Sequence, residues 1–213
     1  MCANYLPPSV RELERLWELK HHTPNLSFPA ETWPGYGAPF LSNFDPTAFT
    51  LGCFGLVPQW AEPKLARNTY NARAETVGEK PSYRNAWKQR QLCIIPALAI
   101  YEPNYESGKA VRWRIERADK QPFGIAGIWE RRLKDEGLSR WSFTMLTLNA
   151  DAHPLMQRFH KPEDEKRSVV ILDPDDYRGW LQARSEAEVR SYLKLFEPEL
   201  MQASPEPLTP RRK

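Results

Sequence analysis

Leu92-Cys93-Ile94-Ile95-Pro96-Ala97-Leu98-Ala99-Ile100-Tyr101 is an almost unbroken apolar run that ends on Glu102. At that length, with isoleucines and a tyrosine, it reads as a buried strand rather than a helix. The same signal recurs on both sides: Ala48–Leu56 before it, and Val111–Arg117, Phe123–Trp129, Trp141–Leu148 and Ser168–Leu172 after it. Turn-forming stretches such as Asn104–Lys109 and Asp135–Ser139 separate the runs, and most have no helical pattern between them. That order favours a curved, largely antiparallel sheet or barrel over parallel βαβ winding.

Helices are expected around this core. Ser9-Val10-Arg11-Glu12 has capping-box spacing, and Leu13, Leu16 and Trp17 follow on one face, predicting a short amphipathic helix over residues 9 to 20. Residues 21 to 46 carry Pro24, Pro29, Pro34, Pro39 and Pro46, a density that excludes regular helix and predicts ordered loop. A further helix is expected over Ser82–Gln91. Two more follow Asp173-Pro174 and the capping box Ser185-Glu186-Ala187-Glu188. The expected class is α+β: one domain over residues 1–197 and a solvated tail over 198–213.

The 213 residues are 41% hydrophobic and 27% charged, with eight Trp, a composition for a globular protein with an aromatic core. No apolar run approaches the roughly 20 residues of a bilayer crossing, and charges fall where a secretory signal needs an apolar centre, so a cytoplasmic protein is expected. Residues 61 to 140 hold 16 Lys/Arg against 10 Asp/Glu, against a net charge of +3 for the whole chain. This modest positive field suits a polyanion at short range and not long-range capture of duplex DNA.

Three cysteines, Cys2, Cys53 and Cys93, an odd number without CxxC spacing, argue against both a disulfide framework and a structural zinc site. Cys53 and Cys93 lie in apolar strands and are assigned to the core. Cys2 differs. Initiator methionine is generally removed before a small residue, which would leave an amine and a thiol on adjacent carbons. Such an amine, with a pKa of about 7.7–8.0, is far more available at pH 7 than a lysine at about 10.4. It condenses with aldehydes, and the neighbouring thiol can close a five-membered thiazolidine ring.

Asn71-Ala72-Arg73-Ala74-Glu75-Thr76 offers an amide at Asn71 and a phosphate-matching fork at Arg73, though spacing alone favours an exposed turn with an Arg/Glu pair. Glu102, closing its strand, suits acid–base work or simply marks solvent. His160, beside Phe159, is by itself more often structural than catalytic. His21, His22 and His153 form no ligand cluster, so no metal site is expected.

Taken in order, Met1-Cys2, Phe54-Gly55-Leu56-Val57-Pro58-Gln59-Trp60, Asn71 to Thr76, Cys93-Ile94-Ile95-Pro96-Ala97 leading to Tyr101-Glu102, Phe123 to Glu130, and His160 before Val169-Val170-Ile171-Leu172 resemble the SOS response-associated peptidase family over roughly residues 2 to 182. The resemblance implies a single domain around curved β-structure. It implies a protein that senses abasic sites in single-stranded DNA and links Cys2 to the opened sugar, with a peptidase activity that exposes Cys2. On that resemblance Cys2, Asn71, Glu102 and His160 are catalytic, and Trp60, Arg73, Thr147 and Arg167 contact DNA, in a monomer without metal, cofactor or membrane. The family usually has Gly-Arg after Cys2, where this chain has Ala3-Asn4. The segment Lys161-Pro162-Glu163-Asp164-Glu165-Lys166-Arg167 is also longer than the commoner family pattern. Two alternatives stand beside this reading: an N-terminal-nucleophile amidohydrolase, and a noncovalent single-stranded DNA binder.

Overall fold

The computed structural model describes residues 2–17, 27–133 and 140–208. The predicted turn at Asp135–Ser139, the end of the first predicted helix and the start of the proline-rich loop lie outside them. The described residues form twelve strands: β1 Asn4–Leu6, β2 Gly37–Ser42, β3 Thr50–Phe54, β4 Asn71–Arg73, β5 Leu92–Ala97, β6 Ala99–Asn104, β7 Val111–Arg117, β8 Phe123–Arg131, β9 Trp141–Asn149, β10 Arg167–Val169, β11 Ile171–Leu172 and β12 Met201–Pro205. Four short α-helices flank them: α1 Val10–Trp17, α2 Arg84–Lys88, α3 Tyr177–Gln182 and α4 Glu186–Ser191.

The fold is α+β, as expected, with two sheets. In the larger, β9, β3, β2, β5 and β8 pair in order and β8 returns to β9, closing a five-stranded barrel to which β4, β10 and β11 are attached. The smaller runs β1-β6-β7-β12. Pairing is antiparallel except where β3 and β4 run parallel to β9. The run that decided the class, Leu92–Tyr101, is two strands. β5 pairs with β8 in the barrel, whereas β6 pairs with β1 and β7 in the small sheet. The chain changes sheet at Leu98, whose N–H donates to the Leu6 carbonyl at 2.7 Å.

Burial on both faces explains the unbroken apolar pattern. On β5, Cys93, Ile95 and Ala97 join the cluster with Phe40, Phe54 and Phe143, while Leu92 and Ile94 join the one with Leu13, Trp87, Trp180 and Val189. The Trp180 indole donates to the Cys93 carbonyl at 2.9 Å, tying α3 to the barrel. Both capping boxes form. The Ser9 N–H donates to Glu12 at 2.8 Å, and Ser185 with Glu188 caps α4 reciprocally. Gly55, at φ 119°, lets the chain leave β3 against the 3₁₀ turn of Pro63–Asn68, because a Cβ there would lie 2.0 Å from the Ala66 carbonyl oxygen.

Several expectations are corrected. The tail does not begin at 198: Met201–Pro205 adds a strand to β7, and Met201 is buried. β2 lies in the stretch expected to be loop. Its Pro39 is tolerated because residues 37–40 pair with β3 alone and residues 41–42 take up β5. Residues 4–6 and 71–73 are also strands. Cys53 is only partly buried. His153 is structural: its Nδ1 accepts from the Leu155 and Met156 N–H groups, so its Nε2–H donates to the Phe196 carbonyl at 2.9 Å.

Candidate active site

The two sheets bring Cys2, Asn71, Glu102 and His160 together from four separate parts of the chain. β1 pairs with β6 in a register that sets Asn4 against Tyr101, which carries Cys2 toward Glu102 at the far end of the same strand pair. Cys2 is 1% exposed. Burial, and then the neighbouring Glu102 carboxylate, push its thiol well above the ordinary range, so it is held as the thiol. Asn71 opens β4 and its Nδ2 donates to the Cys2 carbonyl at 2.8 Å, while among the described residues its buried Oδ1 accepts no hydrogen bond. The Tyr83 hydroxyl donates to the Asn71 carbonyl at 2.9 Å and fixes the start of that strand.

Glu102 is 3% exposed and lies 2.9 Å from Nε2 of His160, itself 7% exposed. His160 has φ 64°, in the left-handed region, and its N–H donates to the Pro103 carbonyl at 2.8 Å. The backbone is therefore turned to aim the imidazole at the carboxylate, a strain of the kind that concentrates at functional sites. Asn104 clamps the same segment by donating from Nδ2 to the Arg158 carbonyl at 3.0 Å. Tyr70, packed edge-on against Phe54, lies within the electrostatic reach of this group and has no signal of its own in the sequence. Burial, followed by Glu102 and Cys2, raises its phenol, so it stands as a neutral hydroxyl near both.

The residues expected to meet DNA divide into two sets. Trp60 is 64% exposed on the loop after β3. Arg73 is half exposed and, with Asn71, Thr76 and Lys80, lines an open groove of about 390 Å³. Thr147 and Arg167, by contrast, lie beneath the surface at 1% and 2% exposure. The Arg167 guanidinium donates to Glu75 at 2.7 Å, to Glu165 at 2.7 Å and to the Thr147 carbonyl at 2.8 Å. Glu75 and Glu165 were not singled out as partners. Glu165 lies two residues before Arg167 in the sequence, but Glu75 is 92 positions away and meets that arginine only in the fold. Among the described residues no group of three or more His, Cys, Asp or Glu could hold a metal ion, and no helix is long and apolar enough to cross a membrane.

Three comparisons bear on this geometry. A solved structure from Bordetella bronchiseptica is 36% identical and superposes with a TM-score of 0.84 over 97% of this chain and 100% of that one. The abasic site processing protein YoqW of Bacillus subtilis is 30% identical over 154 residues, 70% of this chain. The chain spans 65% of YoqW's length, and 48% of the 25%-identical abasic site processing protein HMCES of Xenopus tropicalis. Residues 1–206, which contain every strand and the whole buried constellation, match one family throughout, and the chain belongs to the SOS response associated peptidase (SRAP) family.

Proposed function

We propose that this protein captures abasic sites in single-stranded DNA as a covalent thiazolidine on Cys2, after hydrolysis of the Met1–Cys2 bond frees the amine. The observation that carries the reading is the buried convergence of the Cys2 thiol, the Asn71 amide and the Glu102–His160 pair. The amine attacks the sugar aldehyde, and the aldehyde oxygen leaves as water to give an imine. The thiol then adds across the C=N bond, sulfur to carbon and proton to nitrogen, closing the ring with one water lost overall. A thiol held protonated by burial needs a base close by when it adds, and Glu102 is the carboxylate whose charge acts on it, with His160 able to take or return that proton. The same pair suits activation of water for the Met1–Cys2 cleavage. Asn71, anchored on the Cys2 carbonyl, has its oxygen left to orient the new amine. Trp60 gives a stacking face to a neighbouring base, and Arg73 a fork to a phosphate.

An abasic sugar has no base to unstack, so single-stranded DNA delivers its aldehyde to a pocket at low cost. The homologues named for abasic site processing support this substrate class. The test is intact-mass measurement of purified protein before and after mixing with an abasic oligonucleotide. The expected product has the mass of both partners less one water, is absent with Cys2→Ala and absent with intact DNA. A protein whose Met1 is shown to be gone and that gains no such mass would sink the reading. A complex that forms but dissociates in denaturant would favour noncovalent binding through Trp60 and Arg73.

A further inference from the structure

Arg73 is engaged by its own chain. Its Nη1 lies 2.7 Å from one carboxylate oxygen of Glu165, and the other oxygen of that carboxylate accepts from Nη1 of Arg167 at 2.7 Å. Asn149 adds a third donor, from Nδ2 at 3.1 Å. A planar anion is thus bridged between two guanidinium forks and an amide, the donor set that also matches a phosphate. Glu165 belongs to the acidic segment between His160 and β10, in which residues 162–165 are exposed. Its flank is fixed: the Lys166 N–H donates to Asp151 at 2.8 Å, and the Lys166 carbonyl accepts from Ala150 at 2.8 Å. Arg167 is buried and also holds both oxygens of Glu75, at 3.0 and 2.7 Å. Arg73 has only the half-exposed position facing the groove.

We infer that Glu165 is an internal stand-in for a DNA phosphate, so that a strand entering the groove must displace this carboxylate from Arg73 before the backbone is gripped. Glu165 thereby sets the affinity for nucleic acid. The inference rests on the proposed role of Arg73 as a phosphate contact. A partly exposed ion pair of this kind is worth up to about 1 kcal/mol, so releasing it should tighten binding roughly three- to fivefold.

The test is a double-mutant cycle read by equilibrium binding of a fluorescent single-stranded oligonucleotide without abasic sites, at fixed salt, on full-length protein. Glu165→Gln is expected to tighten binding roughly three- to fivefold in the wild-type background and by less than about 1.5-fold in Arg73→Ala. Glu165→Asp keeps the charge but draws it back by one methylene, and is expected to fall between the two. Glu163→Gln removes an equal charge from the exposed segment and is expected to leave affinity nearly unchanged. Equal tightening in both backgrounds, or tightening by Glu163→Gln as large as by Glu165→Gln, would show a general charge effect and overturn the inference. Weakened binding by Arg73→Ala with no response to Glu165→Gln overturns it too, and leaves the phosphate role of Arg73 standing. Wild-type affinity in Arg73→Ala overturns that role, and the displacement model with it. Thermal melts of each variant confirm that Arg167 remains paired with Glu75.

Discussion

Asn71 and Arg73 stand two residues apart on β4 and so on one face of it, yet they belong to two clusters built on opposite terms. Around Asn71 the polar groups are few: one amide, one carboxylate, one imidazole and one thiol, with the hydroxyls of Tyr70 and Tyr83 at their edge, and among the described residues the Asn71 oxygen accepts no hydrogen bond. Around Arg73 the charges neutralise one another, with two arginines against Glu75 and Glu165, and the hydroxyl and carbonyl of Thr147 beneath them. A saturated network of the second kind holds a structure in place. The first leaves the Asn71 side-chain oxygen without a bond, the kind of spare acceptor that can orient a reactant.

That contrast can be attacked from both ends. The largest effect belongs to the buried centre: Glu102→Gln keeps the shape and removes the base. The rate of abasic-site capture should fall roughly 10²- to 10⁴-fold while the melting temperature stays close to wild type. A variant that captures at the wild-type rate would strip Glu102 of its role. The charged cluster should respond in the opposite manner. Arg167→Met leaves Glu75 without its guanidinium and Glu165 with Arg73 and Asn149 alone, and should cost about 2–3 kcal/mol, less than a fully dry pair because Glu75 and Glu165 reach solvent. For a chain of this size that is roughly 5–10 °C in melting temperature. A loss below 2 °C would mean the cluster does not hold β4, β9 and β10 together.

His160 tests whether the buried centre stores backbone strain. Asn tolerates the left-handed region and Val does not, so His160→Asn and His160→Val should both slow capture, but only Val should also destabilise, by about 1–2 kcal/mol. Equal melting temperatures for the two would show that the residue relaxes once the imidazole is gone. The smallest effect is acid sensitivity of the charged cluster. Burial alone would raise the Glu75 carboxyl, and hydrogen bonds from Arg167 outweigh it. For Glu165 those bonds dominate outright, and both carboxyls end below their usual value. A carboxyl lowered by folding stabilises above its unfolded pKa, about 4.3, and that contribution fades as pH falls below it. The stability gap between wild type and Arg167→Met should therefore narrow between pH 6 and pH 3. A gap that widens on acidification would contradict the pairing.

Local signals carried far for the secondary structure. Capping boxes at Ser9 and Ser185 form as their spacing requires, and β7, β8 and β9 lie where β-branched and aromatic runs put them, because these features depend on neighbours within four residues. The misses share one cause. Residues 4–6, 37–42, 71–73 and 201–205 are strands only because a partner strand is there to pair with them, and their own composition, with Pro39 and Pro205 among them, argues for loop. The switch of sheet at Leu98 is likewise invisible in a run that is apolar on both sides of it.

By itself, the sequence determined the class of fold, the presence of a cysteine next to the initiator methionine and, through the order of its motifs, the family. Those are properties of residue type and spacing. Only the tertiary structure decided that Thr147 and Arg167 lie buried, that the Tyr70 phenol feels the charge of Glu102, and that Glu165 pairs with the half-exposed Arg73. Each of these depends on which distant strands lie side by side, and pairing across a barrel is fixed by the burial of whole faces rather than by any residue's own preference.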